Sequence, residues 1–179
     1  MKSPELKQVF SKEEIDSLNK KLGQKITEDY LPLLEKDEEL LVVVTLKGAL
    51  LFAADLVREI DVPMQIDFIR VASYGAGKSS SGKVALLKDL EHQAKDRHVL
   101  VLDEIVDSGY TLSFLIEHFK NHAPKSVRVC TLLDKESRRE VSVKVDYIGK
   151  KVDDLFLVGY GLDFKERYRN LPAIFELVG

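Results

Sequence analysis

His98-Val-Leu-Val-Leu-Asp103-Glu104-Ile-Val-Asp107-Ser108-Gly109-Tyr110-Thr111 is the stretch that decides the fold. Its first part, His98 to Asp103, is an apolar β-branched run of the kind buried on both faces of a sheet. Two acids follow, then Ile105-Val106, then a small polar cluster that opens a helical pattern over Thr111 to Lys120. Hydroxyl residues and a glycine at a helix start leave backbone N–H groups free for an anion, and the helix dipole assists. The segment lacks the lysine and spacing of a P-loop and is not the dinucleotide fingerprint. An acidic pair just ahead of an anion cradle would repel phosphate, so Asp103 and Glu104 suit sugar hydroxyls or a hard cation. A solvated turn capped by an Asp is the plain alternative.

Outward from this stretch the same signal repeats. Strands are expected over Glu39–Leu46, Met64–Val71, Val84–Leu87, Val127–Leu133, Tyr147–Ile148 and Leu155–Tyr160, and a helix over Ala49–Ile60. The first forty residues read as charged and helical. Ser11 with Glu14 forms a capping-box pattern, and Ile15, Leu18, Leu22 and Ile26 make an apolar stripe. Buried strands alternating with ten-residue helices predict an α/β fold, a Rossmann-like parallel sheet with helices on both faces. In such sheets ligands bind beyond the carboxyl ends of the strands. Ser73 to Lys83, with three glycines and four serines, reads as a loop with little to bury.

Composition sets the bounds. The 179 residues suit one domain over 1–179, and 45% hydrophobic with 32% charged is a globular mixture. Net charge is −3, which predicts no chain-wide nucleic-acid surface. The longest early uncharged apolar run, Leu40–Leu46, is far short of the ~20 residues that span a bilayer. No apolar signal core follows the N-terminus, and the single Cys130 fits a reducing compartment, so a cytoplasmic location with no membrane association is expected. The four histidines lie at no trusted metal spacing; His118 and His122 are four apart but read as a helix surface lacking an acidic third ligand.

The Asp103–Thr111 segment resembles the phosphoribosyl pyrophosphate motif of the phosphoribosyltransferases, within them the hypoxanthine-guanine type. Leu46-Lys47-Gly48 resembles the family's first loop. Asp67-Phe-Ile-Arg70 with Ser73-Tyr74 resembles its second strand and lid, and Leu132-Leu-Asp-Lys135 its purine lysine segment. Phe156-Leu-Val-Gly-Tyr-Gly-Leu-Asp163 with Tyr168-Arg169 resembles its C-terminal segment. The family's acidic pair usually runs Glu-Asp; here Asp103-Glu104 exchanges their reach by one methylene each.

The resemblance implies a hood of terminal segments, a flexible lid, and transfer of a phosphoribosyl unit to hypoxanthine or guanine with Mg2+. It implies Asp107 as general base and Asp103, Glu104, Ser108, Gly109, Tyr110 and Thr111 around the ribose and 5-phosphate. Lys47, Gly48, Ser73, Tyr74 and Arg169 fall to pyrophosphate, with a cis peptide at the first loop. Lys135, Phe156, Leu157 and Asp163 fall to the purine side, and Asp103, Glu104 and Asp163 to the metal. A homodimer or homotetramer is implied. Two alternatives stand: a xanthine- or guanine-preferring relative, and a regulator of this fold that binds nucleic acid.

Overall fold

The computed structural model describes residues 4–74 and 83–178. Its main sheet has six strands in the order β4-β3-β2-β5-β6-β7. They are β2 (Leu40–Leu46), β3 (Met64–Tyr74), β4 (Lys83–Lys88), β5 (His98–Val106), β6 (Ser126–Asp134) and β7 (Tyr147–Lys151). All neighbours run parallel except β4, an antiparallel edge strand.

The strands are apolar throughout because both faces are covered. Along β2, Leu40, Val42 and Val44 enter one core cluster, while Leu41 and Val43 enter the other. That is the two-residue period of a pleated strand, filled on both sides. The first cluster packs beneath α1 (Lys12–Tyr30) and α2 (Leu50–Leu56), through Ile15, Leu22, Ile26, Phe52 and Leu56. The second packs beneath α3 (Tyr110–Lys120), through Leu112, Leu115 and Phe119. Each such side chain contributes about 1.5–3 kcal/mol on burial. The capping box at the start of α1 forms as the sequence predicts: Ser11 Oγ accepts from the Glu14 N–H, and Glu14 accepts from the Ser11 N–H.

The first expectation to fail is an all-helical N-terminus. β1 (Glu5–Phe10) precedes α1 and joins β8 (Leu157–Val158) and β9 (Ile174–Val178) in a separate antiparallel sheet, order β1-β9-β8. A bulge between Gln8 and Phe10 disrupts the alternation that would have marked the strand, and Val9 and Phe10 both lean on the core. This sheet is the hood of terminal segments.

The second correction concerns Leu155–Tyr160, which contributes two residues to the hood and none to the main sheet. Gly159 and Gly161 at φ +97° and Tyr160 at φ +49° turn the chain out of extended conformation. The helix expected over Ala49–Ile60 ends at Leu56 and tightens into a 3-10 turn, Val57–Glu59.

The third correction positions the site. β5 does not stop at Asp103 but continues through Val106, paired with β6. On its other side β2 pairs with it only as far as Leu102. Asp103 and Glu104 therefore lie beyond the last paired residues of the β2–β5 ladder, level with the end of β2 and beside the turn at Lys47-Gly48.

Candidate active site

Two cavities open beyond the carboxyl ends of the strands, and they share Ile105 and Asp107. The first, about 220 Å3, is lined by Lys47-Gly48, Asp103, Glu104 and the Asp107–Thr111 turn. The second, about 510 Å3, is lined by Lys135, Arg138, Asp154, Phe156, Leu157 and Leu162 among others. Asp107 is exposed and stands on the rim of both.

The anion turn is built by its backbone. Gly109 sits at φ +92°, and a Cβ there would meet the Val141 carbonyl oxygen at 2.5 Å, so only glycine fits without strain. No side chain caps α3, which leaves N–H groups of its first turn free. Ser108 is fixed from behind, its carbonyl accepting from the Glu140 and Val141 N–H groups (2.9 and 3.0 Å). Tyr110 turns aside to reach Glu140 at 3.3 Å, while Thr111 stays in the cavity wall.

The acidic pair is held in a poor environment for charge. Asp103 is buried and accepts from the Thr45 hydroxyl at 2.5 Å. Burial pushes its carboxyl up from the ordinary range. Burial, the neighbouring Asp103 charge and their mutual hydrogen bond push Glu104 well above its ordinary value. Gly48 makes room for this: a Cβ there would meet Glu104 Oε1 at 1.8 Å. The peptide bond before the dipeptide, Leu46–Lys47, is cis.

The C-terminal turn closes over the first loop. A Cβ at Gly161 would meet the Gly48 carbonyl oxygen at 1.9 Å, so two backbones touch where both residues are glycine. Tyr160 pins the turn from beneath, donating to Asp55 (2.6 Å) and accepting from Asn19 (2.9 Å). Arg169 donates to the Gly161 carbonyl (2.8 Å) and pairs with Asp163 (2.8 Å), and Lys47 pairs with Glu166 (2.8 Å). Arg169, Asp163, Lys47 and Gly48 are thus brought together from opposite ends of the chain.

On the other side, Lys135 is buried, with its ammonium 3.9 Å from Asp154. Its N–H donates to the Val106 carbonyl (2.9 Å), which aims the residue into the second cavity. Phe156 is 52% exposed and meets Phe164 edge-on at 5.6 Å, so its free face lies open. Leu157 is buried and paired with Glu176 in the hood.

Several expectations change. Among the described residues, Asp103, Glu104 and Asp163 do not form one cluster of ligating atoms, and Asp163 is engaged by Arg169 and the Glu166 N–H (2.8 Å). Ser73 and Tyr74 continue β3, pairing with Val84 and Lys83; the rest of the expected lid, 75–82, lies outside the described residues. The expectation that His118 and His122 lack an acidic neighbour fails, because Asp89 lies 2.9 Å from His118. Sequence reasoning missed Arg138, whose guanidinium is 3.4 Å from Asp107 and 3.7 Å from Asp154. Its position after an expected strand end was the available signal.

A parallel sheet with an uncapped helix start, an acidic pair and a split cleft beyond its strand ends has the arrangement of a ligand-binding α/β protein. A model of the phosphoribosyl transferase domain matches residues 7–165. The chain is 46% identical over 168 residues to a hypoxanthine-guanine phosphoribosyltransferase of Bacillus subtilis, covering 94% of this chain and 91% of that one. It is 44% identical over 165 residues to a hypoxanthine phosphoribosyltransferase of Salmonella typhimurium, covering 92% and 91%. A crystal structure of a hypoxanthine-guanine phosphoribosyltransferase from Bacillus anthracis superposes with TM-score 0.89 at 44% identity, covering 97% of this chain and all of that one. The chain belongs to the phosphoribosyl transferase family.

Proposed function

We propose that this chain is a purine-salvage enzyme that moves the 5-phosphoribosyl group of phosphoribosyl pyrophosphate onto hypoxanthine or guanine. The carrying observation is the pair of cavities meeting at Asp107: an anion turn and acids on one side, a buried lysine and an open aromatic on the other. In the reaction the anomeric C–O bond breaks, a C–N bond to the purine forms, pyrophosphate leaves, and the purine nitrogen gives up a proton.

Asp107, on the shared rim, takes that proton. Ser108 to Thr111 hold the 5-phosphate through backbone N–H groups, and Asp103 with Glu104 accept from the ribose hydroxyls. Lys47-Gly48, Ser73, Tyr74 and Arg169 receive pyrophosphate; a guanidinium fork suits phosphate oxygens. Lys135 donates to the 6-oxo group, Phe156 stacks on the base, and the Leu157 main chain meets the base edge. Excluding water around these groups protects an oxocarbenium-like centre from hydrolysis.

The residues fit a magnesium ion. Asp103, Glu104 and Asp163 offer only oxygen, and this cation favours one or two carboxylates plus substrate phosphates over a preformed cage. When bound, it neutralises charge on the leaving pyrophosphate. The raised acidic pair supports this reading, since a divalent cation or ribose hydroxyls would relieve it.

The proposal extends to one domain over 1–179, a homodimer or homotetramer, and a cytoplasmic setting in which Cys130 stays a buried free thiol. Among the described residues no helix is long and apolar enough to cross a membrane. Incubation with magnesium, phosphoribosyl pyrophosphate and equimolar hypoxanthine, guanine and xanthine tests the activity. IMP and GMP should appear with stoichiometric pyrophosphate. Formation of XMP alone transfers the assignment to a xanthine-preferring enzyme, and no mononucleotide at all refutes it.

A further inference from the structure

We infer that Asp89, His118 and His122 form a second cation site, for a divalent transition ion such as Zn2+, at the end of α3 remote from the anion turn. One ligating atom from each of the three residues lies within 4.8 Å of the other two. This cluster is independent of the residues assigned to phosphoribosyl transfer.

The site's geometry is more specific than a surface coincidence of histidines. His118 lies in the last turn of α3 and His122 in the turn just beyond its C-cap Asn121, and the two rings come together with centroids 4.7 Å apart. His122 Nδ1 is 2.8 Å from the His118 carbonyl oxygen. A carbonyl only accepts, so Nδ1 carries the proton and the Nε2 lone pair is left for a ligand. Fixing the tautomer through the second ring nitrogen is the usual support for a metal-binding imidazole. His118 is only 17% exposed, with its ring parallel to Phe114 and edge-on to Phe119. Its Nε2 donates to Asp89 Oδ1 at 2.9 Å, where a cation would replace that proton, releasing it to solvent.

Asp89 is held in place in turn, since its Oδ1 also accepts from the Leu90 N–H at 2.8 Å. Asp89 and His122 line a cleft of about 500 Å3 with His92, Gln93, Lys95 and Asn121, so a fourth position opens onto solvent. Two imidazoles and one carboxylate match the three-ligand set with an open position seen for zinc, and are poor for magnesium or calcium, which take oxygen. Bond lengths of ~2.0–2.2 Å put tetrahedral ligands roughly 3.3 Å apart, so side-chain rotation that closes at most about 1.5 Å completes the set. Bound cation would tie the loop after β4 to the last turn of α3.

Full-length protein in 5 mM MgCl2, which occupies oxygen-only sites, is titrated with ZnCl2 by calorimetry and with CoCl2 by visible absorption. One site per chain and a tetrahedral Co2+ spectrum are expected. The His118→Gln/His122→Gln variant should lose the Co2+ spectrum and bind Zn2+ at least about 100-fold more weakly, while Asp89→Asn weakens it about tenfold or more. Zinc at ~100 times Kd should raise the wild-type Tm by roughly 5–10 °C, and the double variant's Tm should not move. Equal Zn2+ affinity and the same Co2+ spectrum in wild type and double variant would overturn the site, as would no binding by wild type. Neither result bears on phosphoribosyl transfer, which the mononucleotide assay reads separately.

Discussion

Asp67 in β3 and the Asp103-Glu104 pair in β5 are acids of the same sheet separated by β2, Asp67 and Asp103 buried and Glu104 partly so, and their surroundings are opposite. Asp67 is saturated: the Phe68, Glu91 and His92 N–H groups donate to it at 2.7–2.8 Å, and the His92 ring lies at 3.2 Å. Burial works against its charge, yet these donors outweigh it and hold the carboxyl below its ordinary value. Among the described residues Asp103 and Glu104 have fewer donors, the Thr45 hydroxyl and the Glu104 N–H besides their bond to each other, and burial pushes both up despite the Arg169 charge near Glu104. A buried acid surrounded by donors secures a loop. A largely buried pair with few donors, opening on a cleft, is set for a ligand that brings them.

Asp107 sharpens the contrast, as an exposed acid whose task is proton transfer. Asp107→Asn is nearly isosteric and should lower kcat by about 10²–10⁴ in steady-state assays, with phosphoribosyl pyrophosphate binding changed far less. The loss should shrink at high pH, where an ionised purine needs no proton removed. A variant that melts earlier but turns over normally would give Asp107 a structural role, through its pair with Arg138, and not the role of base.

Asp67→Asn attacks the structural member. It leaves backbone donors of the 89–92 segment unpaired and should cost roughly 2–5 kcal/mol, or about 5–15 °C in Tm by calorimetry. An unchanged Tm would break the distinction between saturated and unsaturated acids.

How much of this was legible is itself divided along the same line. The β2 and β5 runs announced a parallel sheet because strands covered on both faces carry no polar alternation. The site's residues were legible as a string, Asp103 to Thr111, and through resemblance at Lys47, Lys135, Phe156 and Arg169. What stayed hidden was relational. Nothing in the order of residues says that the pairing of β5 with β2 stops at Leu102, two residues before Glu104, that Gly161 touches Gly48, or that Asp89 comes beside His118. The hood strand β1 hid because its bulge cancels the two-residue period.

Lys135 extends the comparison to a cation: it is buried with its nearest carboxylate at 3.9 Å, so it too is short of partners. Lys135→Ala should weaken use of 6-oxopurines by about 1–3 kcal/mol, roughly 5- to 150-fold in kcat/KM, and relax rejection of 6-aminopurines. Unchanged base selectivity would return Lys135 to a structural role.

The smallest effect is the most direct test of the contrast, namely the pH dependence of Tm for Glu104→Gln beside Asp67→Asn. A carboxyl raised in the fold destabilises it once pH exceeds the unfolded value near 4.5, increasingly so up to the folded value. Glu104→Gln should therefore gain about 0.5–2 kcal/mol at pH 8, a rise of about 2–5 °C, and the gain should vanish towards pH 4. Asp67 is the reverse: its contribution is present above the unfolded value near 3.8 and lost as pH falls through the folded one. Asp67→Asn should thus lose Tm at pH 8 and converge on wild type only in acid. Opposite signs at pH 8 are the predicted result. A Glu104→Gln protein that melts lower than wild type at pH 8, as Asp67→Asn does, would contradict the account.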